Sequence, residues 1–364
     1  MSSLTVRALS RATLARQLLL ERSNMTAVAA VEQLGGMQAQ LARPPYLGLW
    51  SRLENFDREQ LTQAATKGQL VRATMMRGTL HLVSAKEYLK QRPALQPVFD
   101  RAIESIVAKD SGNIDQDRLL ADARAFLDRT PATFDALRKH LAVLHPDWND
   151  RAMGFIVRMK LPLLQVPSAD MPWGWHGTAA FAVAETHLGK KLAASASPAA
   201  LALRFFGAFG PASVTDFQTW SGFTGGREIV EPLRPRLEVF RDEKGRELFD
   251  LPDAPRPAED TPAPVRFLPE YDNLLLAHAD RSRIIADQYR PRITPSKNLR
   301  VLPTFLVDGF VAGVWEVEVK KKTATLTLEP FGKLSKAAKA EIEREGERVA
   351  AFVEPGAKPD VRWL

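Results

Sequence analysis

Leu70-Val71-Arg72-Ala73-Thr74-Met75 and Thr79-Leu80-His81-Leu82-Val83, joined at Arg77-Gly78, read as two strands of a hairpin. Helical patterns precede them. Ser10 is placed to cap a helix carrying Leu14, Leu18 and Leu19 on one face. A second helix runs through Val28, Val31 and Leu34 to a Gly35-Gly36 break; 46–53 and 57–65 make two more. Helices followed by a hairpin are the ingredients of a winged helix. A long helix over 85–107, bent at Pro93 or Pro97, leads onward.

The pattern comes twice more. Helices over 115–127, 133–144 and 150–159 precede a short wing, 163–166 with Trp173-Gly174-Trp175. Ser197-Pro198 opens a third set, in which Leu201 and Phe205 face inward. Ser213 to Asp216 is a capping-box-like start, and Lys244-Gly245 turns a hairpin. Residues 252–264 are proline-rich and mark the clearest boundary. Beyond them 265–268, 299–306, 310–319 and 324–328 read as strands, with a tight turn at Asp308-Gly309 and a last helix capped by Ser335. The expected fold class is α+β: three tandem winged-helix modules (1–110, 111–195, 196–256) plus a small C-terminal β-rich, barrel-like domain with a terminal helix (257–364).

Composition narrows the chemistry. A chain of 364 residues exceeds the usual size of one core. It has no cysteine, so thiol nucleophiles, disulfides and cysteine metal sites are excluded. None of its six histidines forms a His-x-x-x-His pair, so neither metal nor cofactor is expected. Arg7, Arg11 and Arg16 interrupt the N-terminal stretch, and no apolar run is long enough for a bilayer. A soluble, cytoplasmic protein is expected.

The net charge is +7 and the sequence pI about 9.6. Residues 1–110 carry 15 basic against 9 acidic side chains. Residues 111–200 are near neutral, at 10 against 9. Between Arg281 and Arg300 the single acid Asp287 faces six basic residues, and Lys320-Lys321-Lys322 forms a second cluster. Such patches suit a polyanion, with counterion release supplying affinity.

The candidate site is Gln38-Ala39-Gln40. In an extended segment, residues two apart share a face. The double glycine ends the preceding helix, and Pro44-Pro45 keeps the following segment extended or turned. Two neutral amides pointing into one space offer acceptors and N–H donors enough to hold a water molecule. Neither is a strong base. Two solvated loop amides are the other reading of the triplet.

Its context is more specific. Leu34-Gly35-Gly36-Met37-Gln38-Ala39-Gln40, followed by Pro45-Tyr46-Leu47-Gly48-Leu49-Trp50-Ser51-Arg52-Leu53, resembles the N-terminal signature of the AlkZ/YcaQ-type winged-helix DNA glycosylases. Met76 to Val83, Leu268 to His278 and Asp280 to Ile284 add matches, so the resemblance spans nearly the whole chain. It implies a monofunctional DNA glycosylase of the Gln-x-Gln form, with Gln38 and Gln40 as the catalytic pair. Hydrolysis of an N-glycosidic bond passes through an oxocarbenium-like state and ordinarily uses two carboxylates. A purine alkylated at N7 is already cationic and leaves neutral, so no acid is required. What remains is to position water and stabilise the sugar cation. The expected substrate is double-stranded DNA carrying bulky N7-alkylpurines, or interstrand crosslinks that need unhooking, and the product an abasic site. No lysine adjoins the pair to form a Schiff base.

For DNA contact the candidates are Arg43 just past the pair, Arg77 at the hairpin tip and His81 on its second strand. Arg290, Arg292 and Lys297 in a proline-flanked loop, and Lys320, Lys321 and Lys322 in a hairpin connection, complete the set. For His81 a satisfied core position is the competing assignment. Asp272 and Asp280 read as structural, and Trp173 and Trp175 as core packing. Three modules in one chain suit a monomer. The alternative function is a non-enzymatic winged-helix transcriptional regulator, usually dimeric, reading sequence directly.

Overall fold

Thr5, not Ser10, opens the first helix, Val6–Arg16, by accepting the Ala8 N–H at 3.0 Å; Ser10 lies inside it and is buried. The computed structural model describes residues 3–295 and 300–364. Thr26 caps Ala27–Gln33, and Gly35 and Gly36 follow with φ of 74° and 86°. A Cβ on Gly36 would stand 2.8 Å from Val83 Cγ1, so the chain needs glycine there for space as well as for backbone angle. Pro44 and Pro45 do not keep the chain extended. They occupy the first turn of helix Pro44–Trp50, where a missing N–H costs nothing. Arg58–Thr66 follows, capped by Asp57.

Strand β1 is Ser3–Leu4 and β2 is Met37–Gln38. Strands β3 (Leu70–Thr74) and β4 (Leu80–Ser84) form the expected hairpin, with Arg77 and Gly78 both at positive φ in its connection. The long helix is broken rather than bent. Ala85–Gln91 and Gln96–Val107 are separated by a 3-10 turn at Arg92–Leu95, because Pro93 and Pro97 each lack a helical N–H donor.

In the second block, Gln116–Arg129, Phe134–Leu144 and Asp150–Lys160 are helical. Its strands are β5 (Ala132–Thr133), β6 (Leu163–Gln165) and β7 (Ala180–Val183). The wing expected from Trp173 to Trp175 is not a strand: β6 pairs with β7 instead. Pro167 and Pro172 interrupt the ladder. Trp175 is buried and donates its indole N–H to the Gln165 carbonyl at 3.2 Å, while Trp173 packs edge-on against Tyr46. The two blocks share one six-stranded sheet, ordered β2-β4-β3-β6-β7-β5, joined where Arg72 and Ala73 pair with Gln165 and Leu164.

The third block contains Pro198–Phe209 and Val214–Ser221, the latter with the expected reciprocal box between Ser213 and Asp216. Strands β8 (Glu238–Asp242) and β9 (Glu247–Asp250) turn at Lys244-Gly245, and β1 adds to β8 in parallel. The C-terminal sheet is β10 (Arg266–Leu268), β11 (Thr304–Val307), β12 (Phe310–Lys320), β13 (Thr323–Pro330) and β14 (Lys358–Trp363), in that order. Its order is linear, with β10 and β14 as the two edges among the described residues. It is an open sheet, not the barrel expected. Helix Lys336–Val353 packs on it so closely that a Cβ on Gly346 would meet Leu326 at 2.7 Å. Residue 299, where a strand was expected to begin, lies outside the described residues.

The proline-rich stretch is no free tether. Arg7 and Arg11 of the first helix donate to the Glu259 and Thr261 carbonyls at 2.8 and 2.6 Å. Arg16 forms a buried two-bond pair with Asp250, at 2.6 and 2.7 Å. Leu34 and Leu47 share a core with Phe267, Phe305 and Trp315, so the C-terminal sheet seats directly on the first block. No described helix is long and apolar enough to cross a membrane.

Candidate active site

The main chain of 36–40 is pinned from three directions. The Ala39 N–H donates to the Leu80 carbonyl at 2.8 Å, holding the segment to β4. Arg72, buried in β3, donates to the Ala39 and Gln40 carbonyls at 2.8 and 3.1 Å. From the C-terminal domain, Asn273 accepts the Gln38 N–H at 3.3 Å and donates to the Gly36 carbonyl. The chain is extended through β2, Met37–Gln38, and bends at Gln40, and it is held from β3 and β4 on one side and from Asn273 on the other.

The two glutamines differ in burial, and only Gln38 lines the crevice beside Pro44 and Pro45. Gln38 is 9 % exposed; Gln40 is exposed. Arg77 donates to Gln38 Oε1 at 2.7 Å. A guanidinium only donates, so it must face the amide oxygen, and the Gln38 orientation follows. The Leu80 N–H likewise fixes Gln40, donating to Oε1 at 3.3 Å. Each oxygen keeps a second lone pair. Among the described residues neither amide nitrogen has a protein acceptor. Each oriented amide thus keeps acceptor and donor capacity of its own.

Arg77 turns inward rather than out from the hairpin tip. Its second nitrogen donates to the Trp220 carbonyl, near the C-terminal end of Val214–Ser221. Burial, helped by Arg281, lowers its pKa to about 10. His81, expected to reach DNA, is 1 % exposed and sits beside Gln38 across the β2–β4 ladder. Its Nδ1 lies 3.0 Å from the Thr79 carbonyl and its Nε2 has no partner. Burial, then the Arg77 charge, pushes it down to about 3. His81 is therefore buried inside the sheet rather than exposed at the hairpin, but its unpartnered Nε2 means it is not the satisfied core histidine of the competing assignment.

Arg43 pairs with Glu270 at 3.3 Å, and Arg300 shares that carboxylate at 3.5 Å. Glu270 is 3 % exposed, and one of its oxygens has no partner. Gln38, Pro44, Pro45 and the run from Pro269 to Asn273 line one narrow crevice. Arg292 reaches Glu329 at 2.5 Å and lies over Phe331; Arg290 contacts Asp287 at 3.5 Å. Lys320 pairs with Glu318 at 2.7 Å. Lys321 and Lys322 make the two-residue tip of the β12–β13 hairpin, with φ of 46° and 64°. Lys297 lies outside the described residues. The structure thus gathers Gln38, Gln40, Arg77 and His81 in one patch, with Arg43 at the adjoining crevice.

Asp272 is bound by Arg52 at 2.8 and 2.9 Å, both side chains buried. Asp280 is held by Lys244 and Arg246 at 2.8 and 2.7 Å. Both are structural, as the sequence indicated. Sequence reasoning missed Asn273, Arg72 and Glu270 as parts of the site. Glu270-Tyr271-Asp272-Asn273, a polar run between leucines and with Tyr271 at φ 59°, was the available signal. No group of three or more histidine, aspartate or glutamate side chains able to hold a metal occurs among the described residues.

Comparison with known proteins agrees with this frame. A sequence profile described as DNA glycosylase AlkZ-like matches residues 31–352. The chain is 24% identical over 374 aligned positions to an interstrand DNA cross-link repair glycosylase of Streptomyces sahachiroi, covering 92% of this chain and 93% of that one. Its fold matches the solved structure of the Streptomyces sahachiroi DNA glycosylase AlkZ over 100% of both chains, with a TM-score of 0.78 at 20% identity. The non-enzymatic regulator is thereby disfavoured. The profile spans both the glutamine segment and the Asn273 loop that clamps it, and the chain belongs to the AlkZ-like DNA glycosylase family.

Proposed function

We propose that this DNA glycosylase hydrolyses the N-glycosidic bond of bulky, cationic N7-alkylpurines, and unhooks interstrand crosslinks built on them, leaving an abasic site. The name of the Streptomyces relative supports crosslinks as substrate. The observation that carries the chemistry is the pair of amides with fixed oxygens, set beside a histidine that stays neutral and an arginine that stays charged. Gln38 and Gln40 would each accept a hydrogen of one water through the remaining oxygen lone pair. That water then presents its own lone pair to the anomeric carbon: the C1′–O bond forms as the C1′–N9 bond breaks, the bonding pair stays on the cationic purine and neutralises it, and the attacking water's surplus proton passes to solvent. The leaving base departs neutral, so no proton need be delivered to it.

Three winged-helix modules, 1–110, 111–195 and 196–256, with 257–364 beyond them, remain the organisation we propose. Exposed Lys321 and Lys322 at their hairpin tip, together with Arg290, Arg292 and Arg43, are the proposed phosphate contacts. A crosslinked base is tied to both strands, so the enzyme must work with less base flipping than usual. A monomer is expected to suffice.

The test uses a duplex containing one N7-alkylguanine, followed by alkaline cleavage at abasic sites. Wild-type protein should produce them. Gln38→Ala and Gln40→Ala should each slow single-turnover excision roughly 10²–10³-fold, as removal of one preorganised group does. Wild-type rates in both variants, with DNA binding intact, would show that the pair carries no chemistry.

A further inference from the structure

The hairpin that presents Arg77 at one end carries a different site at the other. There a cleft of about 550 Å³ is lined by Lys67, Lys86, Lys90, Lys190, Lys191 and His187, and no acid lines it. All five lysines are exposed. Among the described residues the lysines that do form ion pairs, Lys139, Lys160, Lys244 and Lys320, lie elsewhere. The carboxylates nearest in sequence are already engaged: Glu87 by Arg204 and Glu185 by Arg124, each at 3.0 Å.

Helix ends explain only part of this charge. Lys67 follows Arg58–Thr66, and Lys190 and Lys191 follow Ala184–Leu188, where a cation suits the C-terminal dipole. Lys86 sits in the first turn of Ala85–Gln91, where a cation is disfavoured. The two helix ends abut, since a Cβ on Gly68 would touch Leu188 at 3.3 Å. Lysines from two blocks therefore line one cleft; the carboxylate beside Lys191, Glu185, is engaged by Arg124 and by the Leu192 N–H and does not line it.

We propose that this cleft is a second phosphate-binding site, which holds the DNA backbone at a distance from the lesion. His81 beside Gln38, on β4, and Ala85 at the cleft, just past the end of β4, are four residues apart, at most about 13 Å at strand spacing. That is roughly four steps of one DNA strand at 3.4 Å per charge. A duplex engaged at the glutamines thus extends far enough to reach the cleft. The inference rests on DNA being the substrate and meeting the protein at the glutamine segment, and not on the chemistry of Gln38 and Gln40.

The experiment measures binding of undamaged duplexes as a function of salt, one of about 6 base pairs closed by a hairpin loop, which extends only about three steps either side of its centre and falls short of the cleft, and one of about 30, for wild type and for the K86Q/K90Q/K190Q/K191Q variant. The thermal midpoint checks folding, which the four exposed positions should not disturb. For the longer duplex the variant should lose about 2 from the salt slope if two phosphates are released, since each contributes about 0.9. Its affinity for the shorter duplex should stay near wild type. Equal losses on both lengths would mean a general field and overturn the site, as would no loss on either. Inorganic tripolyphosphate, added as competitor, separates the sources. If the variant loses tripolyphosphate binding while DNA binding is unchanged at both lengths, the cleft serves a free polyphosphate and the DNA assignment is wrong. Because no excision is measured, failure of the glutamine mechanism would leave this result untouched.

Discussion

Excision by this site should be nearly independent of pH across neutrality. The perturbation is pH itself, varied from 6 to 8 at saturating enzyme on an N7-alkylguanine duplex. Two titratable groups with displaced pKa values adjoin the amides, while Glu270 and Asp272 on the crevice shared with Gln38 are paired with arginines. His81 is held down to about 3 by burial, so only about 0.1 % of it is protonated at pH 6. Burial and Arg281 lower Arg77 to about 10, which still leaves roughly 99 % charged at pH 8. Neither changes state in the window, and the amides do not titrate. The excision rate, divided by spontaneous loss of the same base from free duplex, should therefore vary by only a few per cent. The division removes any titration of the lesion. A general base or acid with pKa near 7 would instead change its active fraction about tenfold over the range. A slope approaching one logarithmic unit per pH unit, or efficient release of neutral uracil, would refute the amide mechanism. Either result would place the chemistry on a different acid–base pair.

Two mutations probe the supports of the site. Arg77→Met removes the donor that orients Gln38, and a hydrogen bond from a charged group is worth about 1.5–3 kcal/mol. Single-turnover excision should fall about 10–100-fold while DNA affinity changes less; a lower affinity with an unchanged rate would return Arg77 to phosphate binding. Asp272→Ala leaves Arg52 charged and buried, so denaturant unfolding should show a loss of about 3–5 kcal/mol. The double variant R52M/D272L should recover much of that, and a single-mutant cost below 1 kcal/mol would contradict the buried-pair account.

Local punctuation was legible in the chain. The glycine pair, the capping box at Ser213, the Ser197-Pro198 start and the Asp308-Gly309 turn all act between neighbours, and each stands where its residues put it. Local signals also misled. Ser10 has good capping chemistry, but Thr5 lies one turn earlier and begins the helix first. Pro44-Pro45 opens a helix instead of preventing one, because a first turn needs no proline N–H. His81 has the same side chain whether it is buried or exposed, and only its β4 neighbours decide.

By itself, then, the sequence determined the α+β class, an extended stretch at Gln38 after the glycine break, and the absence of thiol chemistry. These depend on periodicity, backbone preference and composition, which are properties of short stretches. Only tertiary structure decided what surrounds them. The shared sheet arises because β3 and β6, about ninety residues apart, pair edge to edge. Gln38 is oriented by Arg77 and clamped by Asn273, which lies 235 positions away. The lysine cleft joins a first block with a basic excess to a second that is near neutral, so charge counted along the chain gives no sign of it. Hydrogen bonds and electrostatic fields act through space, and the order of residues in the chain does not specify which distant groups packing will bring within reach.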